Sequence, residues 1–180
     1  VDELLKLQRP LSTGPEHNEM LFIIIHQTYE LWFKQIIHEF QEAQRAMESG
    51  DSHYSLAILG RIRTILKVCV TQIDILETMT PLQFNSFRSY LSSSSGFQSA
   101  QFRMVEALLG RRDEKMAGHL PLDIQDQIKV ITSKNSVWDS ALAYIDKRGH
   151  KIPTEILNRD KSTPYAPSKA VQDVLLEVHR

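Results

Sequence analysis

Between Pro15 and Gly50 the chain contains neither glycine nor proline, and apolar side chains recur along it at three- and four-residue spacing. Few features constrain a fold as strongly, because such a stretch satisfies its backbone as one helix and presents one apolar face for burial. Pro15 suits a first helical turn, and Glu16 and Glu19 suit the positive end of a helix dipole. The spacing predicts a helix from Pro15–Glu16 to Ser49–Gly50, about 50 Å long at 1.5 Å per residue. That length belongs in a large bundle or an oligomer, where neighbours cover the stripe Leu21, Ile25, Trp32, Ile36 and Phe40.

Further on the pattern repeats. Asp51–Ser52 offer caps for a second long helix through Tyr54, Ile58, Ile62, Ile65, Leu66, Cys69, Ile73 and Leu76, whose polar face carries Arg61, Arg63 and Lys67. Thr80-Pro81 reads as N-cap and first residue of a short helix to about Leu91. Ser92 to Ser95 form a polar loop with Gly96, and a helix from about Phe97 to Leu109 stops at Gly110. After a charged loop at 111–115, weaker helices are expected at Leu122–Thr132, Ser136–Asp146 and Ser168–His179. No segment alternates polar and apolar residues for long enough to make a sheet. The expected fold is all-α: one helical bundle over 1–180, with long antiparallel core helices in 16–110 and a peripheral layer of helices in 111–180.

Composition narrows the functional classes. A chain of 180 residues, 42% hydrophobic, can bury a core without a disulfide or metal staple. The single Cys69 cannot form an internal bridge and points to a reducing, cytoplasmic setting. Lys plus Arg number 21 against 22 Asp plus Glu, a balance that argues against a nucleic-acid partner. Met20–Ile25 is too short an apolar run to span a bilayer, and the acidic start Val1-Asp2-Glu3 is unlike a secretory signal, so no membrane role is expected. The start lacks an initiator Met, and residues are expected upstream.

Two places could carry chemistry. Phe22, His26 and Phe33 recur on one bulky face of the first helix, and spacing leaves His26 as either a core histidine with one satisfied hydrogen bond or a pocket histidine that meets a small ligand. On the short helix after Pro81, Phe84 and Arg88 lie one turn apart; Arg88 is either a surface residue or a fork for a ligand carboxylate. Ser95 and Gly96 could set a hydroxyl and bare backbone beside the same place, or form a plain turn. Tyr29, Trp32 and Phe33 read as packing, and His38 as surface. His17, His26 and His38 are not spaced to ligate one metal from one helix, and no phosphate loop or serine elbow occurs.

The run His17-Asn18-Glu19-Met20-Leu21-Phe22-Ile23-Ile24-Ile25-His26-Gln27-Thr28-Tyr29-Glu30-Leu31-Trp32-Phe33-Lys34-Gln35 closely resembles the tryptophan 2,3-dioxygenase family. Two later blocks are similar in order and spacing: Ile75-Leu76-Glu77-Thr78-Met79-Thr80-Pro81 through Phe87-Arg88, and Ser94-Ser95-Gly96-Phe97-Gln98-Ser99-Ala100-Gln101-Phe102-Arg103. The likeness is strong from Glu16 to Gly110 and looser beyond, around Arg148-Gly149-His150-Lys151-Ile152-Pro153. The resemblance implies a homotetrameric, haem b-dependent enzyme that adds both atoms of dioxygen across the indole C2–C3 bond of L-tryptophan, giving N-formylkynurenine in the kynurenine pathway. By matching, His26 is the catalytic residue that reaches the indole N–H, and Phe22, Ile23, Ile24, Ile25 and His26 line the substrate. Phe84 matches an aromatic position, tyrosine in many bacterial members, and Arg88 the arginine that holds the substrate carboxylate. Ser95 and Gly96 match the loop beside the haem.

The match also has departures. The family's axial histidine lies in a Trp-Arg-x-x-His segment followed by Gly-Thr-Gly-Gly, and neither occurs here, nor does the N-terminal tyrosine segment; His119, His150 and His179 sit in no such motif. No metal ligand is assigned, and the chain is expected to be a portion of a longer dioxygenase. Two other readings remain at this point: a haem-dependent tyrosine hydroxylase of the same superfamily, and a non-catalytic helical homologue that binds aromatic amino acids or serves as a scaffold.

Overall fold

The computed structural model describes residues 1–14, 16–91, 98–153 and 169. The loop expected at Ser92–Gly96, the expected helix start at Phe97 and nearly all of the helix expected at Ser168–His179 lie outside them. Among the described residues six α-helices follow in order: α1 (His17–Ser49), α2 (Ser52–Leu76), α3 (Pro81–Arg88), α4 (Ala100–Leu109), α5 (Leu122–Thr132) and α6 (Val137–Lys147). Among the described residues there is no strand, and no helix is long and apolar enough to cross a membrane.

Local signals set most of these boundaries. Gly50 ends α1 in the left-handed region at φ 83°, with its amide on the Ala46 and Met47 carbonyls. The next residue, Asp51, caps α2 by accepting from the Tyr54 amide at 3.0 Å. Two residues thus reverse the chain, and α2 runs back along α1: going down α1 from Tyr29 to Glu39 goes up α2 from Cys69 to Arg61. The Tyr29 hydroxyl donates to the Cys69 carbonyl at 2.5 Å, and Arg61 Nη1 donates to both carboxylate oxygens of the buried Glu39 at 2.9 and 3.0 Å. Thr80 and Gln83 form a reciprocal capping box with Pro81 at the first turn of α3, and a short 3-10 turn, Ser89–Leu91, continues it. The fourth helix starts at Ala100 rather than near Phe97, because the Ser99 hydroxyl accepts from the Phe102 amide at 3.0 Å.

α1 is the axis of the molecule, packing on α2, α4, α6 and, near its start, α3. The main core joins Ile36, Phe40, Ala43 and Met47 of α1 to Ile58, Ile62, Ile65 and Cys69 of α2, with Val105 and Leu108 of α4 and Val137 of α6. Tyr29, Trp32 and Phe33 pack against it. A second cluster lies between α4 and α5, around Ala107, Met116, Leu120 and Ile128. Cys69 fills part of the main core, and burial pushes its thiol above its ordinary pKa.

Two predictions concern the layer beyond α4. Gly110 sits at φ 114°, and a Cβ there would come 3.2 Å from the Ser136 hydroxyl. Gly110→Ala is expected to cost about 1–2 kcal/mol, the penalty of a left-handed alanine, read as a lower urea midpoint at unchanged slope. The Ser136 hydroxyl and amide donate to Asp139 at 2.7 and 2.8 Å, and these bonds hold its carboxyl below the ordinary value of 3.8. A carboxyl depressed in the folded state stabilises above its unfolded pKa and loses that contribution as pH falls through the folded one. Fluorescence of the neighbouring Trp138 should report α6 loosening below about pH 4; in Asp139→Asn that acid step should be absent.

Candidate active site

Three aromatic rings and an imidazole gather where the start of α1 meets α3. Phe22 and His26 are one turn apart on α1, their ring centroids 4.1 Å apart. Phe84 and Phe87 of α3 close on Phe22 at 5.6 and 5.7 Å, and on each other edge to face at 5.5 Å. Phe87 is fully buried and anchors the short helix, while Phe84 is half-buried and open to one side. Arg88, one turn beyond, is exposed, with its guanidinium carbon 5.8 Å from the Phe84 ring centroid. The structure therefore brings together residues far apart in sequence: His26 and Phe22 from one helix, Phe84 and Arg88 from another.

A single hydrogen bond defines what His26 can do. Its Nδ1 lies 2.7 Å from the Phe22 carbonyl oxygen, and a carbonyl only accepts, so Nδ1 carries a proton. In the neutral ring Nε2 is then an acceptor, held in orientation by the helix itself and by the Phe22 ring. The half-buried His26 thus combines a satisfied polar contact with one nitrogen able to receive an N–H.

The isoleucines of the same run do not share one face, because consecutive helical residues turn by about 100°. Ile25 is buried, Ile23 half-buried, and Ile24, on the side of α1 opposite Phe22, is 45% exposed. Ser95 and Gly96 lie outside the described residues. Among the described residues no group of three His, Cys, Asp or Glu side chains could hold a metal ion. The groove beside Arg112, Met116, Gln125 and Ile128 contains none of the site residues.

Glu19 was expected only to favour the helix dipole, yet it is fully buried and holds the N-terminal segment. Its carboxylate accepts from the Leu11 amide at 2.6 Å, the Ser12 amide at 3.2 Å and the Ser12 hydroxyl. Burial alone would raise its pKa, but these bonds outweigh it and hold the carboxyl below 4.5. Gln27, beside His26, ties down the same segment by donating to the Leu7 carbonyl at 3.2 Å and accepting from the Gln8 side-chain Nε2. Gln101 of α4 donates to both the backbone and the carboxylate of Glu30 at 2.8 Å, fixing the start of α4 on α1. No local sequence signal marks these residues, since each partner is an extended segment or a distant helix.

A family model described as tryptophan 2,3-dioxygenase matches residues 1–120, which contain the whole Phe22–Arg88 cluster. The tryptophan 2,3-dioxygenase of Herpetosiphon aurantiacus is 46% identical over 181 residues, covering 100% of this chain and 70% of the relative. That of Anaeromyxobacter dehalogenans is 48% identical over 182 residues, covering 100% and 68%. That of Bordetella pertussis is 40% identical over 183 residues, covering 100% and 63%. With the family pattern matched over two-thirds of its length and such relatives aligned along all of it, the chain belongs to the tryptophan 2,3-dioxygenase family.

Proposed function

We propose that this chain carries the substrate-orienting half of a haem-dependent site that converts L-tryptophan and dioxygen to N-formylkynurenine. The observation that carries the reading is the geometry at the α1–α3 junction: an imidazole acceptor, an aromatic wall and a guanidinium on one side of the bundle. These match the three parts of tryptophan in turn, the indole N–H, the indole ring, and the carboxylate.

Haem fits what these residues offer on one side. Phe22 and the His26 ring form an apolar face of the kind that packs against a flat macrocycle, and the Nδ1 bond to Phe22 turns His26 toward accepting from substrate. Phe22 and His26 would face the group, and the resemblance alone assigns Ser95 and Gly96 to it. When bound, the haem iron supplies the dioxygen chemistry at indole C2–C3. The protein's own part is orientation. His26 Nε2 accepts the indole N–H, Phe22 and Phe84, in contact with each other, form an aromatic wall along one side of the ring, and Arg88 forks onto the carboxylate. With both ends held, the ring has one presentation, and His26 need not remove a proton.

The length of α1 and exposed apolar residues on α2, such as Leu56 and Val70, support a homotetramer in which subunits cover them. A lone buried thiol supports a cytoplasmic location. Tryptophan and tyrosine offered side by side to the haem-loaded protein under oxygen test the reading. N-formylkynurenine from tryptophan, with tyrosine unchanged, is expected; hydroxylated tyrosine, or no product from either, would overturn it.

A further inference from the structure

The short helix α3 carries Arg88, and among the described residues it packs mainly on the start of α1, with only Phe87 within it buried. Two polar ties join this region to the segment that precedes α1. The Thr13 and Tyr90 hydroxyls are 3.0 Å apart, and the Ser86 hydroxyl donates to Glu16 at 2.6 Å. Residues 7–12 in turn lie along the first turns of α1, running opposite to it, pinned by Gln27 at one end and the buried Glu19 at the other. Glu19 satisfies two consecutive backbone amides with its two oxygens, so it fixes the path of the chain just before Thr13.

We propose that residues 7–13 form a latch, set by Glu19 and closed by the Thr13–Tyr90 hydroxyl pair, that seats the Arg88 end of α3 against α1. Glu19, Thr13 and Tyr90 are then positioning residues: none touches substrate, and each acts through the placement of Arg88. The part played in catalysis rests on the reading of Arg88 as the carboxylate fork, whereas the seating of α3 does not.

The haem-loaded protein and its Tyr90→Phe, Thr13→Val, Tyr90→Phe/Thr13→Val and Glu19→Gln variants provide the test. Tyr90→Phe and Thr13→Val should each raise the tryptophan KM about 3- to 10-fold, the range of one lost hydrogen bond, Glu19→Gln at least as much because it turns an NH2 donor toward another donor, and all should leave kcat within about twofold. The double variant should be no worse than either single one, because both remove the same tie. Amide exchange at residues 84–91 should quicken in every variant. Unchanged KM and unchanged exchange, or fully additive effects of Thr13→Val and Tyr90→Phe, would overturn the latch. Should Glu19→Gln not fold, the two hydroxyl variants decide alone. If the unaltered protein does not bind tryptophan, the substrate reading fails, and exchange at 84–91 still decides whether the latch seats α3.

Discussion

Replacing Arg88 by alanine should weaken tryptophan binding by roughly 10- to 100-fold and leave binding of indole, which has no carboxylate, within about twofold. The size follows from a charge-assisted fork, worth about 1.5–3 kcal/mol where the partners are shielded from water. The contrast between ligands isolates the fork, because indole still meets His26 and the rings. Arg88→Lys should recover only part of the loss, since an ammonium cannot span both oxygens. The guanidinium also stacks near Phe84, 5.8 Å from its centroid, so some packing is lost with it. That shared loss would weaken both ligands alike. Titration of each ligand, followed by tryptophan fluorescence quenching or by the haem absorption band, measures the ratio. Equal weakening for tryptophan and indole would remove Arg88 from the carboxylate.

The helices were legible because their ends are written locally. Gly50, Asp51, Thr80-Pro81, Gly110 and Ser136 each sit where a cap must be, and a cap needs only its neighbours three or four residues away. The stripe of α1 was legible for the same reason, as a spacing within one helix. What escaped were ties between elements. Glu19 looks like an ordinary acidic residue in a first turn, and its partners at 11 and 12 lie in a segment without periodicity. Gln101 and Glu30, or Tyr29 and Cys69, meet only after α4 and α2 have docked on α1. Spacing also left His26 undecided between core and pocket. The Nδ1 contact with Phe22 shows why: the residue has a satisfied partner, as a core histidine does, and keeps its second nitrogen for something else.

Phe87 tests how independent the site is of the main core. It is the buried residue of α3, in contact with Phe22 and Phe84, yet it belongs to neither core cluster. Phe87→Ala removes a fully buried ring, a change that costs about 3–5 kcal/mol where surroundings cannot collapse. Because the main core of α1, α2, α4 and α6 is untouched, that loss should fall on the local opening of α3 and not on global unfolding. Amide exchange at residues 84–91 should quicken by about 100-fold or more, while the urea midpoint moves little. Tryptophan binding should fall with it, since Arg88 is presented only by an ordered α3. Ile36→Ala, which empties part of the main core, should do the reverse: a loss of about 2–5 kcal/mol in global stability, with no selective change at 84–91. An equal fall in the urea midpoint for both variants would mean that α3 and the bundle unfold as one unit. The aromatic cluster would then be part of a single core, and the site would have no stability of its own to tune.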